Sequence, residues 1–134
     1  MKNSIIKSSA LFLLFTLLYS LQSFSYEKEL VIAKMLWAET QFDFGTIEKG
    51  TPVTHSFEFR NNGDAPLLIT KVKTSCGCTV PAYPKEPIMP GESEKIKVTY
   101  NAIKSGLFNK KVTVYSNADK TTYSLSIKGE VAQN

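Results

Sequence analysis

From Gln41 onward, apolar and polar residues alternate with a period of two, the mark of strands with one face buried and the other wet. Phe42 and Phe44 flank Asp43 before Gly45, which predicts a short strand ending in a turn. Val53, His55, Phe57 and Phe59 then share one face, while Thr54, Ser56, Glu58 and Arg60 share the other. Leu67 to Thr74 is rich in Leu, Ile, Val and Thr, residues that suit a pleated, half-buried surface. Ile96, Val98 and Tyr100 alternate with Lys95, Lys97 and Thr99; Val112 and Val114 with Lys111, Thr113 and Tyr115; and Tyr123, Leu125 and Ile127 with Thr122, Ser124, Ser126 and Lys128.

Turn chemistry separates these runs. Asn61-Asn62-Gly63-Asp64-Ala65-Pro66 collects residues that tolerate left-handed backbone. Pro90-Gly91 predicts a type II turn, with proline setting φ at the first central position and glycine accepting positive φ at the second. Ser105-Gly106 and Asn117 to Lys120 mark two more reversals. Pro81, Pro84 and Pro87 make residues 81–88 a stiff, irregular connection, because proline cannot donate to a ladder. The expected fold is therefore all-β, an immunoglobulin-like antiparallel β-sandwich of about seven strands with turns roughly every 8–12 residues and no amphipathic helix. Residues 29–38 fit a strand or a helical turn equally, or an edge strand docking on the sandwich. Trp37, the only tryptophan, reads as a packing anchor.

The N-terminus has a different organisation. Lys2 and Lys7 precede an apolar run from Ala10 to Leu21, which ends in Ser23-Phe24-Ser25. This order matches a secretory signal peptide over residues 1–25, followed by a lead-in or edge strand over 26–38 and the sandwich over 39–134. The apolar run is shorter than the roughly 20 residues a spanning helix requires, so no membrane span is expected after cleavage. The formal charge of +4 is partly the leader: without Lys2 and Lys7, 14 of the 16 basic residues remain against 12 acidic ones. Lys71, Lys73, Lys95, Lys97, Lys110 and Lys111 alternate with other residues along the strands instead of clustering, so nucleic acid is not the expected partner.

Six stretches together resemble a bacterial family, domain of unknown function 1573. They are Phe42-Asp43-Phe44-Gly45-Thr46-Ile47, Phe57-Glu58-Phe59-Arg60-Asn61-Asn62-Gly63, Pro66-Leu67-Leu68-Ile69, Ser75-Cys76-Gly77-Cys78-Thr79, Pro90-Gly91 and Tyr115-Ser116-Asn117. The resemblance implies an exported immunoglobulin-like sandwich, similar to the domains of major sperm protein and of ciliary and centrosomal scaffolds, which are interaction modules. It implies no established activity.

Both cysteines lie in Thr74-Ser75-Cys76-Gly77-Cys78-Thr79-Val80. Residues two apart on an extended strand point to the same side, and four chemistries fit such a pair. A Cys76–Cys78 disulfide suits an oxidising compartment, although its tiny loop makes it a poor staple. A redox role needs positive charge or a helix N-terminus to lower a thiol pKa, and only Lys71, Lys73 and Lys85 are near in sequence. Cu(I) favours paired soft sulfurs, with Met89 or His55 as further candidate ligands; zinc would want four ligands. Finally, the pair can simply pack as small apolar side chains. His55 shares its face with Val53, Phe57 and Phe59, which favours a packed, hydrogen-bonded histidine. Cys76 with His55 as base would be the one hydrolytic pairing, and no oxyanion motif accompanies it. No catalytic residue is assigned. The reading is an exported, non-catalytic binding or assembly module whose partner is another envelope protein, with a periplasmic Cu(I)-binding or thiol-redox module as the alternative.

Overall fold

The computed structural model describes residues 27–133 together with Leu13 and Phe15. The chain divides into two compact units, residues 1–30 and 31–134; the leader of residues 1–25 lies almost wholly outside the described residues. Eight strands make up the second unit: β1 (Met35–Trp37), β2 (Gln41–Ile47), β3 (Val53–Asn61), β4 (Ile69–Thr74), β5 (Thr79–Ala82), β6 (Ser93–Tyr100), β7 (Gly106–Ser116) and β8 (Thr122–Val131). They form two four-stranded sheets, in the orders β1-β3-β6-β5 and β2-β8-β7-β4. No helix occurs within residues 27–133. Among the described residues, none is long and apolar enough to cross a membrane.

The period-two pattern maps onto this architecture. Phe57, Ile96 and Val98 from one sheet are fully buried against Val112, Val114, Leu125, Ile127 and Val131 from the other. Burying each such side chain contributes roughly 1.5–3 kcal/mol. Tyr100 and Phe108 close one end of this core, their rings stacked at 4.2 Å. Leu67 and Ile88 bridge to each other at the other end and are likewise buried.

Three expectations change. The sandwich has eight strands, because Thr79–Ala82 pairs with β6 and places Pro81 opposite Val98. The proline is tolerated because β5 is the outermost strand, and a missing N–H on its open side breaks no ladder. The second sheet is mixed: β2 runs parallel to β8. A chain entering from the opposite sheet can lie beside the last strand in either direction, and period-two patterning carries no information about that choice. Finally, β2 continues through Gly45 to Ile47, with a register shift between Asp43 and Thr46 and Gly45 at φ 65°, so this glycine makes a bulge within the strand.

The Pro90-Gly91 turn is as expected: Gly91 has φ 85°, and the Glu92 N–H donates to the Met89 carbonyl at 3.0 Å. The Asn61–Pro66 segment works differently, since none of its residues adopts positive φ. Asn61 is instead a buried hub. Its Nδ2 donates to the carbonyls of Ala65 (2.8 Å) and Ile88 (2.9 Å), and its Oδ1 accepts from the Gly63 N–H at 3.0 Å. At Gly63 a Cβ would fall on the backbone of Ile32 to Lys34. Glycine is required there by close approach of two chain segments, whatever its φ.

The untyped stretch before the sandwich becomes the edge strand β1, paired antiparallel with β3. Trp37 packs on Phe59 at 5.0 Å and on Tyr123 of the opposite sheet at 6.0 Å, an anchor between layers.

Candidate functional site

The Cys-Gly-Cys stretch connects the two sheets where β4 ends and β5 begins. Thr74 is the last residue of β4, and its hydroxyl donates to the Cys76 carbonyl at 2.9 Å, turning the chain out of the strand. The Ser75 N–H donates to the Lys111 carbonyl at 2.9 Å, while the Lys111 N–H donates to the Ser75 hydroxyl at 3.1 Å. On the far side, the Asn101 N–H donates to the Cys78 carbonyl at 3.1 Å. The loop is thus tied to β7 at one end and to the residues after β6 at the other.

Cys76 and Cys78 are joined as a disulfide, with Cα atoms 5.3 Å apart. Two steps along an extended strand would span roughly 6.6 Å, so the sulfurs meet because the segment turns. Gly77 is exposed, and a Cβ there would have no atom within 4 Å. The Thr79 side chain is buried, and its Oγ1 lies 3.6 Å from the Cys76 sulfur and 4.0 Å from that of Cys78. One hydroxyl therefore faces both sulfurs.

The disulfide forms one wall of a cleft of about 350 Å³. Tyr100, itself buried, forms part of the lining, together with Asn101, Ile103, Lys104 and Lys110. Ile103 is 63% exposed. The neighbouring Ala102 is fully buried with φ 53°. This left-handed conformation costs a non-glycine residue about 1 kcal/mol. Burial of its methyl and the bond from the Gly50 N–H to its carbonyl (2.9 Å) hold it in place.

The other candidate residues lie elsewhere. His55 stacks flat on Phe42 at 3.7 Å, meets Phe57 edge-on at 4.7 Å, and its Nε2 is 2.7 Å from Glu39 Oε1. It is paired across β6 with the position of Pro81, two strand spacings or roughly 10 Å away, and is engaged in an aromatic cluster between the sheets. Met89 sits in the turn before β6, half exposed, its N–H donating to Glu92 Oε2 at 2.9 Å. The cysteines sit beyond the other end of that eight-residue strand, roughly 23 Å along it. The structure brings Cys76 and Cys78 together and joins neither His55 nor Met89 to them. Among the described residues, no three His, Cys, Asp or Glu side chains converge as a metal site would require.

Lys104, Lys110 and Tyr100 are the additions that only the fold supplies, together with the turn that aims the Thr79 hydroxyl at both sulfurs. Nothing in spacing marks Lys104 or Lys110, which are far from the cysteines in sequence and reach the cleft from the β6–β7 connection and from β7. A larger groove, about 550 Å³, lies where β2 bulges from β8. The Asp43–Lys128 pair (3.7 Å) and exposed Leu107 border it.

Two facing four-stranded sheets of short strands around one apolar core define an immunoglobulin-like β-sandwich. Residues 35–131 match the model of the family described as protein of unknown function DUF1573, and the chain belongs to that family. No curated protein sequence matches it. Among solved structures, a protein of unknown function from Porphyromonas gingivalis is similar with a TM-score of 0.66 and 20% identity, covering 74% of this chain and 47% of that one. The ASH/PapD-like domain of human CEP192 is similar at 0.65 and 12% identity, over 77% of this chain and 88% of the domain. A third is the CsuC-CsuE chaperone-tip adhesion subunit pre-assembly complex from Acinetobacter baumannii, at 0.54 and 13% identity, over 74% and 57%. This chain thus spans about half the length of the Porphyromonas protein. At these identities the likeness establishes the fold alone.

Proposed function

We propose that this chain is an exported, non-catalytic binding or assembly module of the cell envelope that takes up another protein chain by strand pairing along β4. The observation that carries the reading is the open edge of β4. Among the described residues this six-residue strand pairs only with β7, and it contains no proline. The Ser75 N–H bonds to β7. By the alternation of an antiparallel pair, the backbone groups of Lys73 and Lys71 do the same, and those of Val72 and Thr74 face outward. The other edges are less suited. β1 has three residues, β5 has four and carries Pro81, and the register of β2 shifts at its middle, between Asp43 and Thr46, all devices that discourage pairing; the shift in β4 falls between Ile69 and Lys71, at its start, and leaves Lys71 to Thr74 regular.

Exposed Lys71 and Lys73 keep the β4 edge from pairing indiscriminately and favour a partner strand with acidic residues on the matching face. The similar Acinetobacter structure is a chaperone-subunit pre-assembly complex, and the fold's use there in handling other chains supports the same class of role. Export rests on the leader pattern of residues 1–25.

Val72→Pro tests the reading, because it removes one outward N–H and leaves the β7 ladder intact. Partners that co-purify with the protein from the envelope fraction are expected to be lost from this variant, with thermal stability within a few degrees of the parent. In the complex, the amides of Val72 and Thr74 are expected to gain protection from hydrogen exchange. Undiminished capture by Val72→Pro would refute binding through β4.

A further inference from the structure

We propose that Cys76–Cys78 is a reversible thiol–disulfide exchange site acting on cysteine-bearing segments of other exported proteins. The inference is independent of the β4 edge, adds a redox activity to the binding role proposed there, and stands on four features of the loop.

The first is that the bridge does little for the fold. It closes a loop of three residues, and chain-entropy stabilisation grows with loop length. A bond with this little structural value can open and close without unfolding the sandwich. The second is access. The disulfide lines an open cleft, and Gly77 presents nothing but backbone to solvent, so an extended peptide can approach closely.

The third feature is charge. Lys104 and Lys110 line the same cleft, and neighbouring ammonium groups favour the thiolate form of cysteine. The positive charge that sequence neighbours failed to supply comes from Lys104 in the β6–β7 connection and Lys110 on β7. The fourth is the Thr79 hydroxyl, buried and within 4.0 Å of both sulfurs, where it can donate to whichever sulfur carries negative charge.

The two sulfurs are not equivalent. Both cysteines are half-buried, but of the two Cys78 is the one that packs against the hydrophobic core. A partner thiolate therefore attacks the Cys76 sulfur, forming a mixed disulfide while the Cys76–Cys78 bond breaks and Cys78 leaves as a thiolate beside Thr79 and the lysines. A second thiolate of the same partner then attacks the mixed disulfide and releases the Cys76 thiolate. The partner dithiol has lost two electrons and become a disulfide, and the Cys76–Cys78 pair has gained them. The two protons released by the partner's thiols go to solvent, and the reduced pair takes up two.

Glutathione disulfide, added to the mature protein with one cysteine replaced, is the probe. Cys78→Ser, which leaves Cys76 free, is expected to form the mixed disulfide at least about tenfold faster than Cys76→Ser. In the Cys78→Ser background, Lys104→Gln with Lys110→Gln is expected to shift the rate profile of mixed-disulfide formation to higher pH, because the attacking Cys76 thiolate then forms at higher pH. Acid-quenched wild-type protein, mapped by mass spectrometry, should carry glutathione on Cys76, which keeps the test decisive if a single-cysteine variant fails to fold. Equal rates for the two variants, glutathione mapped to Cys78, or a wild-type bond that reduces only on unfolding would each overturn the proposal.

Discussion

Asn61 shows how much a single buried polar side chain can decide. It is fully buried, and besides its bonds to Ala65, Ile88 and Gly63 it accepts from the Lys34 N–H at 3.4 Å. Three segments of chain, around Lys34, Gly63 to Ala65 and Ile88, are thereby fastened to one amide at the end of the sandwich. Asn61→Ala would strand the Ala65 carbonyl, take from the Ile88 carbonyl one of its two donors and leave the N–H groups of Lys34 and Gly63 without this acceptor, each a bond lost in a largely buried site. The expected loss is roughly 2–4 kcal/mol, read from the urea midpoint at unchanged slope. From sequence, Asn61-Asn62-Gly63 reads as a turn, and its position is right. Its reason for being asparagine is only partly legible there, because two of the four groups it satisfies, at Lys34 and Ile88, lie 27 residues away on either side. His55 was readable by its face: its neighbours Val53 and Phe57 placed it inward, and it is packed among aromatic rings.

Among elements, β2 is the one whose path the rest must accommodate. It lies parallel to β8 and bulges at Gly45, and at this point Gly129 of β8 is packed so closely that a Cβ would come within 2.8 Å of the Gly45 carbonyl oxygen and of the Phe108 ring. Gly129→Ala must therefore displace β2 or Phe108, and we expect a destabilisation of about 1–3 kcal/mol with faster hydrogen exchange along β2. Gly77→Ala, where space is open, is the control and should change stability by less than about 0.5 kcal/mol. Strand positions were largely legible from alternation. The short β1 and β5 were not, since three or four residues carry too little pattern and proline argued against the second.

At the scale of the whole molecule, the two sheets meet through side chains that belong to neither pattern alone. Trp37 on β1 and Tyr123 on β8 touch across the gap. Burial, followed by the charge of Asp119, raises the Tyr123 hydroxyl pKa above its ordinary value. The unfolded chain's tyrosine then ionises first, at about pH 10, while the folded one keeps its proton. This contribution to stability is complete below that pH and is lost as pH rises through the folded-state pKa. The melting temperature of the wild type should accordingly fall more steeply above pH 10 than that of Tyr123→Phe, with the two parallel between pH 7 and 9.

The loop from Thr74 to Val80 separates what each level determines. Period-two alternation and turn residues are local properties, so the sequence alone determined an all-β sandwich, a family resemblance, and the single stretch holding both sulfurs. The pairing of strands distant in sequence is a property of register and packing. Only the tertiary structure decided that β2 runs parallel, that β4 keeps an open edge, and that His55 and Met89 stay apart from the cysteines. It also brought Lys104, Lys110 and the Thr79 hydroxyl to one disulfide, because a cleft is made where chain segments meet in space, and no spacing along the chain encodes that meeting.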